Sequence, residues 1–306
     1  MLNTPQQFMM TSERVIVQQF LKLRGAVLIH TPHGNAVYVP ATRSDAVLLV
    51  AHTDTVWFDA NIQLHQFGDI VTSAVKGIGI GADDRAGIAA LWELRSAGHA
   101  MLLVPEEESG CKGSTWIADN AAHILARHNF MIQFDRRGGL DLVTYDCDNP
   151  AFNNYLLNQL RPEDRGTYVE DRSFGYDTGA AGGFKMASGS FSDIAVLAPV
   201  AGIAAVNISI GFRNEHTERE SLNLAEWRNT VESVRVLLAA ECPHFEYIES
   251  KYAVNWGFSA YDTTTIQDDI EWDDDVCPQC DRLLVDDLTY SYCPDCMQHY
   301  DYDDFV

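Results

Sequence analysis

Apolar positions along the chain change period several times, and each change predicts an element. Residues 12–24 (SERVIVQQFLKLR) carry apolar side chains at helical spacing behind a Ser/Glu start, which predicts a helix. Short apolar runs at 26–30, 35–40 and 46–51, and a weaker one at 70–74, have the length of strands. Residues 82–97 read as a helix, 101–104 as a buried strand and 114–127 as a second helix. Strands follow at 130–134 and 140–145, then a helix at 151–160. Residues 171–190 are rich in glycine and small side chains and are expected to form a loop, ahead of a strand at 204–211 and a long helix at 224–240. Strands alternating with helices predict an α/β domain with a mixed, largely parallel twisted sheet flanked by helices.

Polar clusters stand directly after the apolar runs. His52-Thr-Asp54 follows VLLVA, Asp83-Asp84-Arg-Ala-Gly87 opens a helix, and Glu106-Glu107-Glu108-Ser-Gly110 follows MLLV. Asp135 follows FMIQF, and Asn214-Glu215-His216-Thr-Glu218 lies just beyond NISIG. In an open α/β sheet ligands bind outside the carboxyl ends of the strands, so clusters far apart in sequence can meet in one crevice. Two histidines and several carboxylates form an N/O donor set suited to Zn²⁺, and also to Mn²⁺ or Co²⁺. Two cations held close together need a carboxylate between them. The other eight histidines have no partner at ligand spacing.

These motifs, in this order over residues 46–240, resemble the co-catalytic zinc exopeptidases, the related M20, M28 and M42 metallopeptidases. The resemblance implies that His52 and Asp135 bind one metal, that Glu108 and His216 bind the other, and that Asp83 bridges them. Asp84 is the alternative bridge, and the four-residue step to Gly87 favours Asp83. The resemblance further implies that Asp54 orients the His52 ring. It makes Glu107 the general base that takes a proton from a water bridging the metals and returns it to the leaving amine. The resemblance also implies, from an aspartate rather than a glutamate at position 135, an aminopeptidase cleaving the N-terminal residue of small peptides. An N-acyl amino acid deacylase or carboxypeptidase is the alternative in the same fold. From a different class, a non-catalytic metal-stabilised interaction protein is a third possibility. Only 80 residues separate Asp135 from His216, too few for a full lid domain, so a lidless architecture is expected. The oxyanion-stabilising residue is then open, with Tyr176 as one candidate. Ser192-Asp193 resembles a Ser-Asp loop of lidless members.

Composition narrows the function. Apolar residues make up 46% of 306 residues, and the formal net charge is −23. So acidic a chain is not expected to bind nucleic acid or an anionic membrane surface. Residues 241–306 hold 17 of the 44 acids but only two of the 21 Lys and Arg, which suggests a separate appendage. Within it, Cys277-Pro-Gln-Cys280 and Cys293-Pro-Asp-Cys296 resemble a zinc ribbon, a tetrahedral thiolate site for one structural Zn²⁺. Iron in a rubredoxin-like site is the alternative metal, and disulfides the alternative chemistry. The expected organisation is a catalytic domain over 1–242, an acidic linker over 243–271 and a ribbon module over 272–306. The ribbon is expected to serve as a structural cap or protein-docking element, with homo-oligomerisation also open. The N-terminus lacks a basic start ahead of an apolar core. With seven cysteines, four of them in metal-type pairs, a reducing, cytoplasmic location is expected.

Overall fold

The structure is a computed structural model that describes residues 2–57, 61–160, 183–189 and 191–250, with three short strands beyond them. The chain divides into two compact units, Met1–Val254 and Asn255–Val306. The first begins with α1 (Pro5–Met9) and α2 (Glu13–Phe20), then β1 (Val27–Thr31), β2 (Gly34–Val39), β3 (Leu48–His52), β4 (Leu64–Phe67) and β5 (Ile70–Ser73). It continues through α3 (Ala82–Leu94), β6 (Ala100–Val104), α4 (Lys112–Asn120), β7 (Met131–Arg136), β8 (Asp141–Val143) and α5 (Pro150–Gln159). It ends with β9 (Lys185–Met186), α6 (Asp193–Ala201), β10 (Ala205–Ser209), β11 (Phe212–Arg213), β12 (Ser221–Asn223) and α7 (Leu224–Ala239).

The main sheet has eight strands in the order β1-β2-β6-β3-β7-β10-β8-β9. Its centre, β6-β3-β7-β10, is parallel, and antiparallel neighbours β2 and β8 flank that centre. Strands β3, β6 and β10 are buried along their whole length, as expected where helices cover both faces of a parallel sheet. The period of two divides each strand between two cores. Leu49, Ala51, Met101, Leu103, Ile132 and Phe134 pack with Ile88 and Leu91 of α3 and Val234 and Leu237 of α7. Leu48, Val50, Leu102, Val104 and Met131 pack on the other face with Ile117 of α4 and Ile194 and Leu197 of α6. A second, antiparallel sheet has the order β11-β12-β5-β4. The mixed, largely parallel sheet flanked by helices is therefore as expected. Between Asp135 and His216 the described residues form no lid domain: β8, β9 and β10 join the main sheet and α5 and α6 pack within the first unit.

Several boundaries differ from expectation. The predicted helix over 114–127 stops at Ala121, whose φ of −133° is not helical, and a 3-10 turn (Ala122–Ile124) follows. Between the expected loop at 171–190 and the expected strand at 204–211, where no element is predicted, α6 precedes β10. Pro199 sits in the last turn of α6, and Gly202 ends it in the left-handed region, φ +68°. Residues 243–250, expected to be linker, pack on the first unit. The Phe245 ring lies 6.0 Å from that of Phe130 and 5.2 Å from that of Phe152, and Ile203 and Cys147 form β-bridges with Glu246 and Glu249. The reason is apolar: Phe245 and Tyr247 have core partners despite the acids around them.

The second unit contains β13 (Val285–Asp286), β14 (Ser291–Cys293) and β15 (Gln298–Tyr300), a three-stranded antiparallel sheet. Cys293 ends β14. Cys277, Cys280 and Cys296 lie outside the described residues, as do Tyr176 and residues 171–182 and 190 of the expected loop. Cys111, Cys147 and Cys242 are buried and unbridged. Among the described residues no helix is long and apolar enough to cross a membrane.

Candidate metal centre

Each predicted polar cluster lies at an end of the parallel sheet or on a loop beside it. His52 is the last residue of β3 and is fully buried. Its Nδ1 lies 3.2 Å from Asp54 Oδ1, and its Nε2 lies 3.2 Å from Asp83 Oδ1 and 3.6 Å from Asp135 Oδ1. With the Nδ1 proton held by Asp54, the other ring nitrogen is the one left to face a cation. The same Asp54 carboxylate accepts hydrogen bonds from the backbone N–H of Glu107 and of Glu108, each at 3.1 Å. One side chain thus orients the histidine and the turn that carries both glutamates.

Asp83 faces both histidines. Its Oδ1 points to His52, while its Oδ2 lies 3.3 Å from His216 Nε2. His216 Nε2 is also 2.8 Å from Glu108 Oε2. The arrangement is two histidine–carboxylate pairs, His52 with Asp135 and His216 with Glu108, with Asp83 between them. Asp84 takes a different place. It is fully buried, with Oδ1 accepting from Gly87 N at 2.8 Å and Oδ2 from His52 N at 3.3 Å. Both its oxygens serve the backbone, although it also falls within a group with His52 and Asp135 that could hold a cation. A Cβ at Gly87 would stand 2.2 Å from Asp84 Oδ1 and 2.3 Å from the Phe134 carbonyl, so only glycine admits this packing. The Asp83–Asp84 peptide is cis.

Four non-glycine residues around the centre have positive φ: Glu106 (59°), Cys111 (51°), Asn214 (55°) and His216 (62°). Such conformations cost about 1–3 kcal/mol each and gather where surrounding structure imposes them, commonly at functional sites. Asp135 is held from behind. Its Oδ2 accepts from Gln133 Nε2 at 3.1 Å and from Ser192 Oγ at 3.4 Å, and its N–H donates to Asn207 Oδ1 at 2.9 Å. Ser192 and Asp193 therefore lie behind Asp135 at the start of α6. The motifs do not single out Gln133 or Asn207, which hold Asp135. Gln133 sits two residues before Asp135 on one strand face, a signal that the apolar run around it conceals.

The charges are unbalanced. Burial, then the neighbouring Asp135, pushes the Glu107 carboxyl up to about 9. Burial and Asp83 push Asp135 up to about 8. Burial opposes the charged form of His52, yet Asp135, Asp54 and Asp83 together hold its pKa well above the usual imidazole range. Asp83 and Glu108 raise His216 to about 11. Burial and the repulsion of neighbouring acids thus favour the protonated forms of Glu107 and Asp135. Glu108 Oε1 is buried with no hydrogen-bond partner. In His52, Asp83 and Glu108 the ligand atoms all lie within 4.8 Å of one another, and the same holds for His52, Asp84 and Asp135. A buried acceptor without a donor, in an N/O set of this density, fits divalent cations.

The chain matches no protein-family model and no curated protein. Solved structures do share its fold. Aminopeptidase PepT from Bacillus cereus is 15% identical with a TM-score of 0.55, over 77% of this chain and 96% of that one. A tripeptidase from Staphylococcus aureus is 14% identical with a TM-score of 0.55, over 78% and 96%. An aminopeptidase from the archaeon Desulfurococcus kamchatkensis is 13% identical with a TM-score of 0.52, over 77% and 93%. The protein thus shares its fold with these two aminopeptidases and this tripeptidase.

Proposed function

We propose that the protein is a dinuclear metal-dependent exopeptidase, an aminopeptidase that hydrolyses the N-terminal residue of small peptides. One observation carries this reading: the Asp83 carboxylate directs one oxygen to each of two histidines, and each histidine has its own second carboxylate. His52 and Asp135 would hold one cation, Glu108 and His216 the other, with Asp83 shared. When bound, Zn²⁺, Mn²⁺ or Co²⁺ would acidify a water and polarise the scissile carbonyl.

The chain's own residues supply the rest. Asp54 fixes the His52 tautomer and, through the Glu107 and Glu108 amides, the direction of the two glutamates. Glu107 is the proton carrier: it accepts a proton from the attacking water and delivers it to the leaving amine. Among the described residues its carboxyl accepts a weak contact from Cys111 Sγ at 3.6 Å and no other hydrogen bond that would tie it down. The surplus of carboxylates suits the free α-ammonium group of a peptide, and the fold neighbours are themselves aminopeptidases and a tripeptidase. The four C-terminal cysteines would hold one structural Zn²⁺, bringing the total to three metals per chain.

Hydrolysis of aminoacyl anilides and of N-acyl amino acids, with and without added Zn²⁺, Mn²⁺ or Co²⁺, tests the reading. Metal-dependent turnover of the anilides is expected. Turnover of the N-acyl series alone would make the protein a deacylase. Turnover of neither, with a Glu107→Gln variant indistinguishable from the parent, would leave a non-catalytic binding protein.

A further inference from the structure

Glu220 lies four residues after His216 and is only 1% exposed. Among the described residues its carboxylate accepts four hydrogen bonds, from N–H donors on the loop after β3 and on the turn that opens α3. Oε2 accepts from Ile80 N at 2.9 Å, from Gly81 N at 2.8 Å and from the Trp57 indole Nε1 at 3.1 Å. Oε1 accepts from Asp83 N at 3.1 Å. Gly81, which precedes α3, is left-handed and caps the helix with no side chain, so Glu220 satisfies N–H groups that the helix itself leaves unpaired. A Cβ at Gly79 would stand 2.4 Å from Trp57 Nε1 and 2.6 Å from Glu220 Oε2; glycine is what lets this carboxylate approach. The same two loops are joined a second time, where Glu218 Oε2 accepts from Gly77 N at 2.8 Å.

We infer that Glu220 is a positioning residue of the metal centre: it fastens the turn that carries Asp83 to the loop that carries His216, and so sets the separation across which one carboxylate can serve two cations. The inference rests on the dinuclear reading given above. Trp57 brings in the third loop, which runs from His52 and Asp54. A carboxylate is required because it only accepts; a glutamine would turn an NH₂ group toward one set of these donors. A residue that merely stabilised the fold could sit on any loops. This one joins the segments that bring in Asp83, His216 and His52.

Mn²⁺ titration of the metal-free full chain, followed by electron paramagnetic resonance, tests it. Mn²⁺ prefers N/O donors, so the C-terminal thiolates do not compete. The parent is expected to bind two Mn²⁺ and to show the exchange-coupled signal of a close pair. Glu220→Gln is expected to weaken binding about 10–100-fold, the range for groups that orient metal ligands, and to lose the coupled signal. Glu226→Gln breaks the buried Arg213 ion pair (2.7 Å) and is the structural control; it should bind as the parent does. If circular dichroism shows Glu220→Gln to be unfolded, Gly79→Ala decides, since it displaces the same carboxylate. Parent-like affinity and coupling in a folded Glu220→Gln or, failing that, in Gly79→Ala overturns the inference alone. Equal Mn²⁺ binding by the parent and a His52→Ala variant overturns the dinuclear reading, and the inference with it.

Discussion

The two ends of the parallel strands use the same kinds of side chain in opposite ways. At the amino ends every polar group singled out below has a protein partner. Arg43 forks onto Asp45 and reaches the carbonyls of Leu238 and Ala240. His99, just before β6, accepts from Val47 N at 3.0 Å on Nδ1, and its Nε2 lies 3.0 Å from the Leu238 carbonyl. Asp45 also accepts from Cys242 N. At the carboxyl ends the acids outnumber their partners, and Glu108 Oε1 and Asp193 Oδ1 are buried without any. The first arrangement is closed, and its polar groups stabilise the fold. The second leaves donor capacity open, and that capacity is what a cation would use. The lesson is that burial of a polar side chain does not by itself mark function; at this centre it is the buried acid oxygens left without a donor that a cation would use.

The largest expected effect breaks the comparison on the open side. Glu107→Gln should lower kcat/KM about 10²–10⁴-fold, the contribution of a general base, with metal content and Tm unchanged. Asp54→Asn should weaken metal binding and activity about 10–100-fold, because it loosens His52 and the Glu107–Glu108 turn together; chelator competition reads the affinity. The closed side should respond the other way. Asp45→Ala should lower Tm by about 2–4 °C, the effect of about 1 kcal/mol in a unit of this size, and leave kcat/KM per folded molecule unaltered. The smallest effect concerns pH. Burial, with the nearby Arg43 charge, lowers the His99 pKa, while the Leu238 carbonyl and Asp45 act against the shift. The unfolded chain therefore takes up this proton first as pH falls. The stability His99 contributes is complete above about pH 6.5 and declines below it, toward the folded pKa. Between pH 7.5 and 5, Tm of His99→Gln should fall less steeply than that of the parent.

Much of this division is readable without coordinates. Apolar runs such as VLLVA and MLLV could only be buried strands, and the polar clusters after them fell at the ends where an α/β sheet binds ligands. His52, Asp83, His216 and Glu108, from four of those clusters, form a chain of contacts in that order, each 3.3 Å or less. What escaped it has physical causes. Strands β4, β11 and β12 span two to four residues, too few for a period to register. Helix α6 is apolar on nearly every side and carries Pro199, so its pattern has no polar face to mark it. Glu220 lies in a run of charged residues, TERES, where nothing distinguishes a solvated acid from one that gathers four N–H groups across more than 130 positions of sequence. Asp84 is adjacent to Asp83 and identical to it; the sequence separates them by the step to Gly87 alone, and the bonds from the backbone N–H groups of His52 and Gly87 that occupy Asp84 have no signature there.

The most direct test of the central claim is a crystal structure of the protein soaked in Zn²⁺ or Mn²⁺, with the ions located by anomalous scattering. Two peaks about 3.5–4 Å apart, one on each side of the Asp83 carboxylate, between His52 and Asp135 and between His216 and Glu108, are the predicted result. A single peak there, or none, would contradict the account.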